Sequence, residues 1–257
     1  MDRLHYVIPD CQVKPGKSVE FLRDIGRHIM SKRPQVIVCL GDFADMESLS
    51  SWDKGKKEFE GRRYVKDVEA AHKAMQALLG PIREHNETCA PEDYYRPRMI
   101  LTLGNHEHRI DRAVSTQAEL EGLMSLTDLN YESYGWEVYP FLVPVVVDGV
   151  AYCHYFTSGP MGRPVGKATA LLSTKHMSCV AGHQQGKLIA DTYRADGKRV
   201  CAIIAGSCYE HDEDYMGPQG NRHFRGVVLL HKVKDGEFIE QPITLVHIRN
   251  KFSRKGA

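Results

Sequence analysis

Three short apolar runs, Leu4 to Pro9, Val36 to Leu40 and Met99 to Leu103, constrain the fold more than any other feature of the chain. Runs of this length and character suit parallel strands buried on both faces. Between them lie two stripes at helical spacing. Val19, Leu22, Ile25 and Ile29 form the first; Val65, Val68, His72, Met75, Leu79 and Ile82 form the second, expected to stop at Gly80-Pro81 or soon after. The order β-α-β-α-β predicts a parallel sheet with helices on its faces, and so the α/β class.

The last third reads differently. Val143 to Val147, Val150 to His154, Ser178 to Ala181, Lys187 to Tyr193, Val200 to Ala205, Val227 to Val233 and Phe238 to Ile248 are strand-like. Asp148-Gly149, Asp196-Gly197 and Asp235-Gly236 lie between them as hairpin signals. A helix is expected over Val165 to His176. Two packed sheets with outer helices accommodate both halves in one domain, residues 1–257. Residues 43–98 are long for a β-α-β connection and read as an insertion whose front, Ser48 to Gly61, is surface loop.

Composition narrows the function classes. With 34 basic and 33 acidic side chains the formal charge is +1, without the basic surplus of a protein that grips long nucleic acid by its phosphates. No stretch approaches a membrane span, and Met1 to Pro9 reads as a strand and not as a signal peptide. The seven cysteines are scattered, with no C-x-x-C pair, so reduced thiols in a cytoplasmic protein are expected. Pro15-Gly16-Lys17-Ser18 imitates the end of a phosphate-binding P-loop, but Cys11 stands where that motif needs glycine; Ser18 is expected to cap a helix.

A short polar cluster follows each of several strands. Asp10-Cys11-Gln12 follows the first, Gly41-Asp42 the second and Gly104-Asn105-His106-Glu107 the third. His154 ends a later strand, and Gly182-His183-Gln184-Gln185 ends the next. Ligands bind at the carboxyl ends of parallel strands in open α/β sheets. Convergence of these ends would gather Asp10, Gln12, Asp42, Asn105, His154, His183 and Gln185 in one small volume. Carboxylate, amide and imidazole donors together suit a pair of divalent ions.

The order D-x-Q, G-D, G-N-H-E, a strand-end His, then G-H-x-Q resembles the calcineurin-like metallophosphoesterase superfamily, whose usual series is D-x-H, G-D, G-N-H-[DE], H, G-H-x-H. The likeness spans Asp10 to Gln185. The stretches from Gly41 to Met46 and from Gly104 to Glu107 further resemble bacteriophage and prophage members, which implies a host cytoplasm if the chain is phage-encoded. The resemblance implies a four-layer α/β/β/α sandwich and hydrolysis of phosphate diesters, such as small or cyclic nucleotides, by metal-activated water. It implies that Asp42 bridges two metals, with Asp10, Gln12 and Gln185 completing one site and Asn105, His154 and His183 the other. His106 would protonate the leaving oxygen, and Glu107 would orient His106.

Gln12 and Gln185 both replace histidines of that series, and both belong to the same site. An all-oxygen first site is expected to lose affinity for iron or zinc and to favour Mn²⁺ or Mg²⁺; of the pair as a whole Mn²⁺ is the expected metal, with Mg²⁺, Ni²⁺, Fe or Zn²⁺ as the others considered. Arg109, Arg163 and His223, the last in a loop expected over Tyr209 to Gly226, are further candidates for touching substrate. Two other readings stay open: a nuclease using Lys54, Lys56, Lys57, Arg62, Arg63 and Lys66, and a catalytically weak relative that binds a nucleotide or a partner. Homo-oligomerisation is left open too.

Overall fold

The three apolar runs form adjacent parallel strands: β1 (Arg3–Ile8), β2 (Val36–Cys39) and β3 (Arg98–Thr102). A computed structural model describes residues 2–213 and 217–252; part of the expected loop Tyr209 to Gly226, at 214–216, lies outside them. On the far side of β3 the sheet gains a fourth parallel strand, β4 (Glu137–Tyr139). Antiparallel β12 (Gly226–Lys234) joins β1, and β13 (Glu237–Thr244) closes that end.

A second sheet has the order β10-β11-β9-β6-β5, from β5 (Val145–Val147), β6 (Val150–Cys153), β9 (Cys179–Ala181), β10 (Leu188–Tyr193) and β11 (Arg199–Ile204). Its centre β6-β9-β11 is parallel and its edges antiparallel, so both sheets are mixed. A short β7 (Thr157–Ser158) and β8 (Arg163–Pro164) pair separately.

Alternation along the strands decides which side faces which layer. Val7, Val38 and Ile100 of the first sheet share one buried cluster with Val147, Tyr152, Val180 and Ile203 of the second, so the sheets pack face to face. Tyr6, Ile8, Ile37 and Leu101 point the other way, into a cluster with Leu22, Ile25 and Ile29 of α1 (Glu20–Lys32) and Leu78 of α2 (Tyr64–Thr88). On the second sheet's outer side, Cys153, Cys179 and Ile204 pack with Leu171 of α4 (Ala168–Lys175). Ser18 is not the N-cap of α1: Val19 takes that position without a side-chain cap bond, and Ser18 Oγ, one residue earlier, accepts from the Glu20 N–H at 3.3 Å.

Two sequence expectations are corrected. The second helix does not stop at Gly80-Pro81 but runs to Thr88 with Pro81 inside it. Proline removes one helical hydrogen bond. Pro81 is itself buried, as are Leu78, Leu79 and Ile82, so packing outweighs that loss. Phe238 to Ile248 is not one strand: β13 ends at Thr244, and Leu245–Phe252 is a helix, α6. Leu245 and Ile248, three apart, enter the helix-covered core only if the chain coils there. Among the described residues the remaining α-helices are α3 (Arg109–Thr116) and a single turn, α5 (Gly217–Gly220).

His28 on α1 gives a test of this packing. It is 1% exposed, with Nδ1 2.8 Å from the Tyr6 hydroxyl. Burial, with Lys32, Lys251 and His247 adding to it, pulls its pKa down to about 4. The unfolded chain therefore takes up this proton first, near pH 6.5. His28's contribution is intact above that pH, drains as pH falls toward 4 and is then constant. Between pH 7 and 4 the wild type is expected to lose up to about 3 kcal/mol more than His28→Gln in urea unfolding. Parallel losses in the two proteins would contradict it.

Candidate metal centre

The strand ends of both sheets meet at one edge of the molecule. Asp10, Asp42 and Asn105 follow β1, β2 and β3, while His154 and His183 follow β6 and β9. Three of the candidate ligands adopt left-handed backbone, Gln12 at φ 43°, Asp42 at 46° and His183 at 66°. Non-glycine residues visit that region rarely, and such strain persists only where the surroundings hold it. Here the hold is visible: the Asp42 carbonyl accepts from the Cys11 and Gln12 N–H groups at 3.0 and 2.8 Å. Two glycines let the backbone come close. A Cβ on Gly104 would stand 2.1 Å from Asp42 Oδ1, and one on Gly182 would stand 2.5 Å from Asp10 Oδ1.

Four donors converge. Asn105 Oδ1 is 2.9 Å from His154 Nε2 and 2.7 Å from His183 Nδ1. Asp42 Oδ2 is 3.3 Å from His154 Nε2, and the ligand atoms of Asp42, His154 and His183 lie within 4.8 Å of one another. The other nitrogen of His154, Nδ1, donates to the Leu40 carbonyl at 2.8 Å. That bond fixes the ring with Nε2 facing the centre, where it carries the proton that Asp42 holds there and would present a lone pair to a cation once that proton leaves.

Asp10 joins from the first sheet: its Oδ1 accepts from the His183 N–H at 3.0 Å. Its Oδ2 is buried and has no hydrogen-bond partner in the structure. Burial, and then the charge of Asp42, push the Asp10 carboxyl up to about 7, although the charge of His154 opposes them. Burial would raise Asp42 as well, but the neighbouring His106 and His154 hold it well below the carboxylate range. His154 responds in kind: burial lowers it, but the charge of Asp42 carries it up to about 9. His183, half-buried beside His154, falls to about 4 through desolvation and the charge of His154. A partnerless buried carboxylate oxygen beside an ionised carboxylate and two imidazoles is a donor set that fits divalent cations.

The two glutamines separate. Gln12, 2% exposed, lines a cavity of about 480 Å³ together with Asn105 and His106. Gln185 Oε1 instead accepts from the hydroxyl of buried Tyr209 at 2.8 Å, which leaves that oxygen one lone pair.

His106 stands at the rim. Its N–H donates to Asp42 Oδ1 at 2.9 Å, its Nδ1 is 2.8 Å from Asp45 Oδ1 and its Nε2 is 3.1 Å from Arg109 Nη2. Burial lowers its proton affinity, but Asp42 and Asp45 more than offset this. The expectation that Glu107 orients His106 is corrected. Glu107 is wholly buried, and its oxygens accept from the N–H groups of Asp42, Phe43, Ala44 and Gly104 at 2.7–3.0 Å. It ties the second strand-end loop to the third, and Asp45 is the partner of His106. The only sequence signal for Asp45 was a second aspartate three positions after Asp42.

Of the three candidate substrate contacts, Arg109 is at the site, held on Asp45 by bonds of 2.8 and 3.2 Å to its carbonyl and Oδ1. His223 is one layer out, with Nε2 2.9 Å from Ser207 Oγ; Ser207 pairs by its backbone with Asp10. Arg163 stands exposed in β8 and does not line the cavity beside His106. Tyr155, unremarked in the sequence, packs its ring 4.7 Å from that of His183.

No protein-family model matches the chain, and no curated protein matches it. Among solved structures, one crystal structure is 13% identical and superposes with a TM-score of 0.43, covering 95% of this chain and 100% of the other. A likeness that distant bears on neither fold nor function. No helix among the described residues is long and apolar enough to cross a membrane.

Proposed function

We propose that this chain is a dinuclear-metal-dependent phosphodiesterase of the calcineurin-like metallophosphoesterase kind, its two sheets and outer helices read as that superfamily's four-layer α/β/β/α sandwich. One observation carries the reading: four donors from four strand ends meet beside the orphaned Asp10 Oδ2. Asp42, Asn105, His154 and His183 would hold one cation; Asp10, Gln12, Gln185 and the shared Asp42 would hold the other. Divalent cations bound there supply Lewis acidity at the phosphoryl oxygens and make water acidic near neutral pH.

The chain's own groups do the rest. His106, its ring fixed by Asp45, takes a proton on Nε2 once Arg109 Nη2, a donor 3.1 Å from that nitrogen, turns to the phosphate, and gives it to the departing alkoxide oxygen. The Arg109 guanidinium, fixed on Asp45 beside that nitrogen, faces the non-bridging oxygens. Two of the six positive charges that a nuclease would place along a strand are already engaged. Arg62 is paired with Asp53 at 2.8 Å, and Lys56 with Asp53 at 3.0 Å. A small diester fits this site better than a polynucleotide.

Turnover of bis(p-nitrophenyl) phosphate across Mn²⁺, Mg²⁺, Ni²⁺, Fe²⁺ and Zn²⁺ tests the proposal. Activity is expected to require metal, to be highest with Mn²⁺ and to vanish with chelator. Absence of turnover with every metal would overturn the enzyme reading. Equally tight, zinc-selective calorimetric binding at two sites would overturn the oxygen-rich first site.

A further inference from the structure

The cavity beside His106 runs from the metal-binding edge to the turn that carries Trp52. Trp52 lines it and is nevertheless 82% exposed, although it is the largest apolar side chain type and the core lies close by. Nothing in the fold accounts for that exposure, since a buried indole stabilises and an exposed one does not.

The charges of the cavity are matched. Lys14 Nζ lies between Asp45 at 3.2 Å and Glu213 at 2.8 Å. Arg109 is held by Asp45, Lys56 by Asp53, and Arg62 by Asp53 at 2.8 Å and Glu47 at 3.7 Å, so four carboxylates face four cations. A cavity whose cations are each neutralised offers no field for a second phosphate. Its free binding surface is an uncharged π face. A volume of about 480 Å³ lies within the range of small-molecule sites.

Resting on the phosphodiesterase reading, we propose that Trp52 is the stacking platform for a nucleobase, so that the substrate is a nucleoside phosphodiester with its phosphate at His106 and its base on the indole. Stacking accepts any base, because every base has a π face. Matched charge discriminates against nucleoside polyphosphates and in favour of a single phosphate between base and leaving group.

Binding tests this without turnover. The chain has two tryptophans. Trp136 is 3% exposed, with Nε1 on Met75 Sδ, so red-edge emission belongs to Trp52. In Mg²⁺ buffer, adenosine and AMP are expected to quench that emission saturably, and ribose 5-phosphate to leave it unchanged. By equilibrium dialysis, Trp52→Ala should weaken AMP binding by roughly 5- to 100-fold, and Trp52→Phe by no more than about threefold. The inference falls if adenosine and AMP leave the emission unchanged, if ribose 5-phosphate binds as tightly as AMP, or if Trp52→Ala binds AMP like the wild type. An active enzyme lacking this binding would sink the platform alone. Base binding by a protein inactive with every metal would sink the phosphodiesterase reading alone.

Discussion

Asp42→Asn is expected to lower turnover of bis(p-nitrophenyl) phosphate by roughly 10³-fold or more and to cut retained Mn²⁺ with it. The substitution keeps shape and removes charge, so the fold should survive. Asp42 Oδ1 accepts from the His106 N–H and Oδ2 lies 3.3 Å from His154 Nε2. An amide cannot satisfy both with oxygen, and whichever way it turns, an NH₂ group faces a donor or a cation. It also removes the negative charge that raises His154 and His106. Metal content after gel filtration and circular dichroism separate loss of the site from loss of the fold. Turnover within tenfold of wild type, with metal retained, would remove Asp42 from the centre of the chemistry.

His106→Ala is expected to lower kcat by roughly 10²- to 10⁴-fold while metal content stays at the wild-type level. His106 meets Asp42 through its backbone N–H, which alanine retains, and its ring points to Asp45 and Arg109. Deleting the ring therefore removes the proton donor and leaves the ligand cluster as it was. Asp45→Asn supplies the complementary measurement. Asp45 raises the proton affinity of His106, so its loss lowers it. A general acid works only while protonated, so the high-pH limb of the kcat profile should move to lower pH in Asp45→Asn. A leaving group more acidic than an alkoxide should be less sensitive to both substitutions. Unchanged kcat in His106→Ala would remove the ring from proton transfer.

Other relationships emerge only in three dimensions. Glu107 follows His106 in the chain, and the resemblance implied a side-chain pair. Neighbouring residues at a turn diverge, and Glu107 points into the core, where four N–H groups compensate its burial. Gln185 follows the same logic: it stands two positions after His183, yet its oxygen is bonded to Tyr209, a residue from a later loop. Short strand β4 had no apolar run to mark it, because its residues are exposed or half-buried at the sheet edge.

From the sequence alone came the parallel core of the first sheet, the strand-end positions of Asp10, Asp42, Asn105, His154 and His183, and the helical stripes of α1 and α2. Those features rest on local periodicity, which a single chain segment encodes. Which acidic group steadies His106, whether α2 passes its proline, and where the strand after Asp235-Gly236 becomes a helix were decided by tertiary structure. Each depends on the free energy of burying a group against residues far away in the chain, and no local pattern carries that information.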